Sequence, residues 1–357
     1  MGFTTISLRE LARIISADNT DNILIIPHIN PDPDALGSAL GLKWVFEKLN
    51  KTAYIVCSDK VNGRICGFFD IAPELDLNTV ENTGFEPDCI ICVDAASDSQ
   101  IGRYAGEYYS EDVSQNKIDI VIDHHYTNTL YGKENYIDEN AAATGEIIYN
   151  IAKELKLDID RNFAKYIYCA VICDSGSFRY SSATPHTMRT AAELMETGFD
   201  FARLNRLIYQ NKTLTQIAIE RLAYNSLKLY CGGKAAFITI TLEMKKEAGL
   251  EGVELDGINE IAKIIEGVEV GVVIKEAEPE TDNGVDSDYN KYGRRVFRIS
   301  LRANEYVNVA EIAAQYGGGG HVRAAGCKVE AEANNPVERL EQSLIEKIGK
   351  ALVCENI

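Results

Sequence analysis

Residues 118–129 read IDIVIDHHYTNT, an apolar run that closes on Asp123 and two adjacent histidines, His124 and His125. The β-branched residues of the 117–122 segment predict a buried strand. Two of the chain's five histidines would then follow its end side by side. Working outward, similar short runs occur at 22–28 (NILIIPH), 53–57 (AYIVC) and 88–93 (DCIICV). After the first of them Leu36, Leu40, Trp44 and Val45 recur at helical spacing, so a helix should open near Asp34. Asp34 itself is the expected cap. Continuous apolar strands alternating with helices predict an α/β fold with a parallel sheet and helices on both faces. That pattern runs to about residue 200.

The rest of the chain reads differently. Residues 201–230 carry a connecting helical pattern. Strand-like runs at 234–242 (KAAFITITL), 268–278 (VEVGVVIKEAE) and 294–303 (RRVFRISLRA) predict a smaller α/β domain over 231–357. A closing amphipathic helix is expected at 336–353. The acidic, turn-rich stretch 277–292 reads as an exposed loop.

Composition narrows the chemistry. The 357 residues are 46% hydrophobic and 25% charged, as in ordinary soluble domains. No apolar run reaches the roughly 20 residues of a membrane span, so no membrane association is expected. Nine cysteines, an odd number and mostly inside apolar runs, suit reduced core residues in a cytoplasm. In CIIC, Cys89 and Cys92 should point to opposite faces of a strand and cannot share a metal. A net charge of −18 disfavours long duplex nucleic acid but leaves room for a small anion in a local cationic pocket.

Four segments place oxygen and imidazole ligands near element ends. HINPDPDALGS supplies His28, Asp32 and Asp34; ICVDAASD supplies Asp94; VIDHH supplies Asp123, His124 and His125; CDSGSFRYSS supplies Asp174. Ligands in open α/β sheets bind beyond the carboxyl ends of strands, where these residues would meet. Mixed carboxylate and imidazole donors suit Mn²⁺ or a similar borderline cation better than calcium. Four crowded carboxylates repel one another, and two divalent cations would neutralise them and serve phosphoryl displacement. His186 follows a proline at a helix start and is expected at the surface, without a role.

The segment VNVAEIAAQYGGGGHVRAAG offers a capping box at Asn308 and Glu311 and a helix end at Gly317. Backbone N–H groups at Gly318, Gly319 and Gly320, with His321, Arg323 and Arg302, are expected to bind phosphate.

Together these motifs resemble the DHH-family phosphoesterases with a DHH-associated C-terminal domain. Within them the chain is most similar to the bacterial bifunctional oligoribonuclease and adenosine-bisphosphate phosphatase group. The resemblance covers about residues 20–330. It implies a catalytic domain at 1–200, a helical linker at 201–230 and a substrate-binding domain at 231–357 across a cleft. It also implies two Mn²⁺ ions, with Mg²⁺ or Co²⁺ as substitutes. His28 and Asp32 would hold one and Asp34, His124 and Asp174 the other, with Asp94 between them. Asp123 would orient the histidine pair and His125 would touch the scissile phosphate. The implied substrates are very short RNAs and adenosine 3′,5′-bisphosphate, and a homodimer is left open. Pyrophosphatase or polyphosphatase activity, dinucleotide hydrolysis and non-catalytic nucleotide binding are the competing readings. Two positions depart from the family pattern: Pro33 replaces a common glycine, and Gln100 stands where a basic residue is frequent.

Overall fold

In the computed structural model the apolar runs of the first two hundred residues become neighbours in one sheet. The structure describes residues 4–18, 20–59, 61–71, 85–250, 258–277, 281–282, 285–286, 295–331 and 335–354. Strands β1 (Thr4–Thr5), β2 (Asn22–Pro27), β3 (Thr52–Ile55), β4 (Cys89–Val93), β5 (Ile120–Asp123) and β6 (Glu134–Ile137) lie in the order β1-β6-β5-β4-β2-β3. Every pairing is parallel. Such a sheet must be covered on both faces, and it is. Ile23, Ile25, Ile91, Ile120 and Ile122 pack under helices α1 (Leu8–Ile15), α2 (Pro33–Lys48), α3 (Gly63–Phe69), α5 (Thr144–Glu154) and α6 (Arg161–Asp174). Leu24, Ile26, Ile90, Cys92 and Val121 pack on the opposite side against Ile101, Tyr131 and Tyr104 of helix α4 (Arg103–Tyr108). Cys89 joins the first of these cores and Cys92 the second, so the sulfurs of CIIC diverge as their spacing requires.

Sheet order places the site. The chain leaves β2 for β3 on one side and then crosses to β4 on the other. The carboxyl ends of β2 and β4 therefore flank a switch point, where an open crevice forms. β5 lies next to β4 and brings its own end to the same rim.

The helix after β2 starts one step earlier than expected. Its cap is Asp32, whose Oδ1 accepts from the N–H groups of Asp34 at 2.8 Å and Ala35 at 3.0 Å. Pro33 fills the first helical position, where its missing N–H costs nothing and its fixed φ suits the turn. Asp34 does not cap α2.

The compact units divide between Asn211 and Lys212. The second unit holds a mixed sheet of β7 (Lys228–Tyr230), β8 (Ala235–Ile240), β9 (Val270–Glu276), β10 (Arg295–Ala303), β11 (Gly319–His321) and β12 (Ala324–Ala331). Only β8 and β9 pair in parallel; the other neighbours are antiparallel. Leu301, Phe297 and Val272 pack under the helix Pro336–Cys354, and Ile238 and Val273 face Ile219 of the helix Leu214–Asn225 on the opposite side. The acidic stretch 277–292 lies outside the described residues, apart from Ala277 and a short ladder between Thr281–Asp282 and Val285–Asp286.

Candidate metal centre

Three adjacent strands end on candidate ligands. His28 follows β2, Asp94 follows β4, and His124 and His125 follow β5. Asp32 and Asp34 open α2, and Asp174 is the last residue of α6. Nε2 of His28 stands 3.8 Å from Asp32 Oδ1 and 3.6 Å from Asp94 Oδ2. Nε2 of His124 stands 3.8 Å from Asp34 Oδ2, 3.7 Å from Asp94 Oδ1 and 3.5 Å from Asp174 Oδ2. The fold thus gathers all six expected ligands, with Asp94 common to both halves. Two groups, His28–Asp32–Asp94 and Asp34–His124–Asp174, have ligand atoms mutually within 4.8 Å.

The donor chemistry fits divalent cations. Nδ1 of His28 lies 2.6 Å from the Ile29 carbonyl and Nδ1 of His124 3.2 Å from that of Ala141. A carbonyl can only accept, so each Nδ1 carries the proton and each Nε2 lone pair faces the carboxylates. Crowding and burial disfavour the charged forms of most of these carboxylates. Burial, then the neighbouring Asp34 and Asp32, push Asp94 well above the ordinary carboxylate range. Burial and Asp34 raise Asp174 to about 7. Burial also raises Asp34. Asp32 goes the other way: burial alone would raise it, but His28 outweighs that and lowers it. Burial works against the charge on His28, and the Asp32 contact overcomes it, leaving the imidazole raised.

Backbone geometry holds the cluster in place. Asp94 adopts a left-handed φ of 54°, a conformation aspartate tolerates better than most residues, while its N–H donates to Ile122 at 3.0 Å. Asp34 is buried and caps a helix other than its own. The cap residue of α5, Ala143, offers no side-chain acceptor; instead Asp34 accepts from Thr144 N–H at 2.8 Å and Gly145 N–H at 2.9 Å. The positive end of α5 thereby faces a carboxylate in a crowded site. Gly145 has to be glycine, since a Cβ there would lie 2.5 Å from that of Ala170.

His125 stands apart from the ligands. Its Nδ1 donates to Asp123 Oδ1 at 2.8 Å. A third group of donors, Asp94–His124–His125, also comes together, but it draws on a ring already committed at Nδ1. The Asp123 contact outweighs burial and raises His125, while burial of Asp123 is more than offset by His125, which lowers it.

Two residues passed over in the sequence belong here. Thr144 is fully buried and its hydroxyl donates to Asp94 Oδ1 at 2.9 Å. Asn128 donates to Asp123 Oδ2 at 2.7 Å. A threonine opening the helical pattern at 144–154 was the available signal for the first. Gln100 accepts from Ala96 N–H at 2.6 Å and braces the turn after Asp94. His186 is exposed, with Nε2 3.0 Å from Asn150 Oδ1.

In the second unit, GGGGH forms neither a linker nor an open loop. Gly317, at φ 74°, follows the helix Val309–Ala314, and β11 pairs with β12 in a hairpin. Gly318 admits no side chain, because a Cβ would fall 2.2 Å from the Gly326 carbonyl. His321 is exposed at the end of β11, while Arg323 donates to the Val307 carbonyl at 2.9 Å. Arg302 lies in β10 opposite Ala324 of β12. The capping box is incomplete: Asn308 caps Ala310 N–H, but its own amide reaches Glu311 Oε1 at 2.8 Å.

Comparison with known proteins then identifies the lineage. Residues 22–171 match the DHH family, N-terminal domain, and residues 232–351 match the DHHA1 domain. The chain carries a DHH domain and a DHHA1 domain. The DHH domain is similar to that of the bifunctional oligoribonuclease and PAP phosphatase NrnA of Thermus thermophilus, and the likeness continues through the DHHA1 domain. Identity is 26% over 332 residues, covering 92% of this chain and 91% of the relative. The Bacillus subtilis protein of the same name is 24% identical, over 90% of this chain and 92% of the relative. A crystal structure of an exopolyphosphatase-related protein from Bacteroides fragilis shares the fold, with a TM-score of 0.79 at 21% identity over 96% of each chain. Among the described residues no helix is long and apolar enough to cross a membrane.

Proposed function

We propose that this protein is a Mn²⁺-dependent phosphohydrolase. It releases nucleoside 5′-monophosphates from very short oligoribonucleotides and converts adenosine 3′,5′-bisphosphate to AMP. The observation that carries the reading is the pair of imidazoles, His28 and His124, each pinned at Nδ1 with Nε2 facing the shared carboxylate Asp94. The names of the relatives supply the substrate class.

His28, Asp32 and Asp94 would hold one cation; Asp34, Asp94, His124 and Asp174 would hold the other. Bound there, divalent cations supply charge neutralisation, Lewis acidity toward a phosphate oxygen and a lowered water pKa. The protein's own part is orientation. Asp123 fixes the proton of His125 on Nδ1, so Nε2 is the ring atom presented to the scissile phosphate. Thr144 holds the Asp94 carboxylate. Gly319, Gly320, His321, Arg323 and Arg302 are the proposed phosphate-binding groups of the DHHA1 domain, whereas the Gly318 N–H is already spent on the Ala313 carbonyl at 3.0 Å.

The test is product identification after incubation with Mn²⁺ and, separately, a dinucleotide, a longer RNA, adenosine bisphosphate and pyrophosphate. Nucleoside 5′-monophosphates from the dinucleotide and AMP from the bisphosphate are expected. Orthophosphate from pyrophosphate alone would replace this reading with a pyrophosphatase.

A further inference from the structure

The contacts around Asn128 go beyond what the ligand set requires. Its side chain makes three hydrogen bonds with different purposes. Oδ1 accepts from the Leu130 N–H at 2.8 Å, a local turn. Nδ2 donates to the Ala95 carbonyl at 3.2 Å, in the residue after Asp94. The same Nδ2 donates to Asp123 Oδ2 at 2.7 Å. Asp123 is fully buried, and its other oxygen accepts from the His124 N–H at 2.8 Å and His125 Nδ1 at 2.8 Å. Both oxygens of the carboxylate are thus taken, one by the histidines and one by the amide. A carboxylate satisfied on one side only can rotate about its last torsion, which is broad and soft. Closing the second side removes that freedom.

We propose that Asn128 is a positioning residue, whose amide locks the Asp123 carboxylate so that His125 keeps its Nδ1 proton inward and its Nε2 toward substrate. The proposal rests on the phosphohydrolase reading for its catalytic consequence, but the lock itself does not. The same amide also ties the turn beyond Asp94 to the turn beyond β5 through the Ala95 carbonyl. Outer partners of this kind typically affect activity 10–100-fold.

A simple loop-bracing role predicts something different, and Asn128→Asp separates the two. Aspartate keeps an oxygen for Leu130 N–H and so preserves the turn, but it replaces the donor facing Asp123 with a second acceptor. The protein, labelled with ¹⁵N-histidine, is observed by NMR at pH 8 without metal, where a carboxylate-bound Nδ1 proton gives a resolved downfield resonance. Wild type should show that resonance for His125. Asn128→Asp and Asn128→Ala should both lose or displace it. With Mn²⁺ and a dinucleotide, kcat should fall about 10–100-fold in both variants, while KM and Mn²⁺ affinity stay near wild type. An unchanged resonance in Asn128→Asp overturns the lock. An unchanged kcat in an active background overturns its role in turnover. Absence of hydrolysis by wild type would instead defeat the phosphohydrolase reading, and the resonance would still decide the lock.

Discussion

Stability of the DHH unit should depend on pH in opposite directions with and without metal. In the metal-free protein Asp174 titrates near 7 rather than near 3.8. A group raised by folding contributes its full stability below the unfolded value, and loses it as pH climbs through the folded one. The window is therefore about pH 4 to 7. Holding one extra proton across about three units is worth about 4 kcal/mol. Some 35% of the Asp174 side chain is exposed, and screening by solvent reduces that to ~2 kcal/mol. Asp34, Asp94, His28 and His125 are all raised and act with the same sign. Asp32 and Asp123 are lowered, so their contributions vanish only toward lower pH, outside the window. For a unit of this size ~2 kcal/mol corresponds to a fall in Tm of roughly 4–8 °C. Saturating Mn²⁺ demands ionised carboxylates and neutral imidazoles, so its stabilisation grows as pH rises and the slope reverses. Trp44, the chain's single tryptophan, is buried in this unit and donates to Asp160 at 2.8 Å, so its emission reports unfolding there. Thermal melts at pH 5, 6, 7 and 8, with chelator or with Mn²⁺, make the comparison. Asp174→Asn should flatten the chelator profile, which separates the site from the general repulsion of an acidic chain. Parallel profiles for wild type and Asp174→Asn, or no reversal with Mn²⁺, would refute the reasoning.

Thr144→Val removes the hydroxyl that donates to Asp94; Mn²⁺ affinity, read by electron paramagnetic resonance, should drop about 10–100-fold, and Thr144→Ser should largely restore it. Arg302→Ala should raise KM for a dinucleotide while leaving kcat close to wild type, the pattern of lost uniform binding; steady-state kinetics would expose an unchanged KM. Gly318→Ala drives a Cβ into the Gly326 carbonyl and should destabilise the β11–β12 hairpin by ~1–3 kcal/mol, visible as faster amide exchange in β12.

The parallel sheet was legible because its central strands are buried on both faces, so β2, β4 and β5 read as unbroken apolar runs. β6 was not, since ENYI carries polar residues whose burial is made tolerable by distant partners: Asn135 bridges Gly132 and Thr4. The residues that gather in the candidate centre could be picked from the sequence because they lie near the ends of apolar elements. Their mutual support could not. Asp34 finds the N–H groups of α5 at a separation of 110 residues or more, and no local pattern encodes that. The misplaced cap of α2 was avoidable, because Pro33 at the first helical position already points to Asp32. The GGGG run hid a strand because glycine has no side chain to alternate.

Asp34 holds two posts at once: it faces His124 in the candidate metal centre and caps the first turn of α5. A descendant that abandoned chemistry would still need this carboxylate to close that turn, so its retention in a paralogue says little about turnover. Asp174 is held differently, with Oδ2 facing His124 Nε2 at 3.5 Å inside the candidate metal centre. Replacement of Asp174, rather than of Asp34, would therefore mark a paralogue that has given up the proposed metal centre.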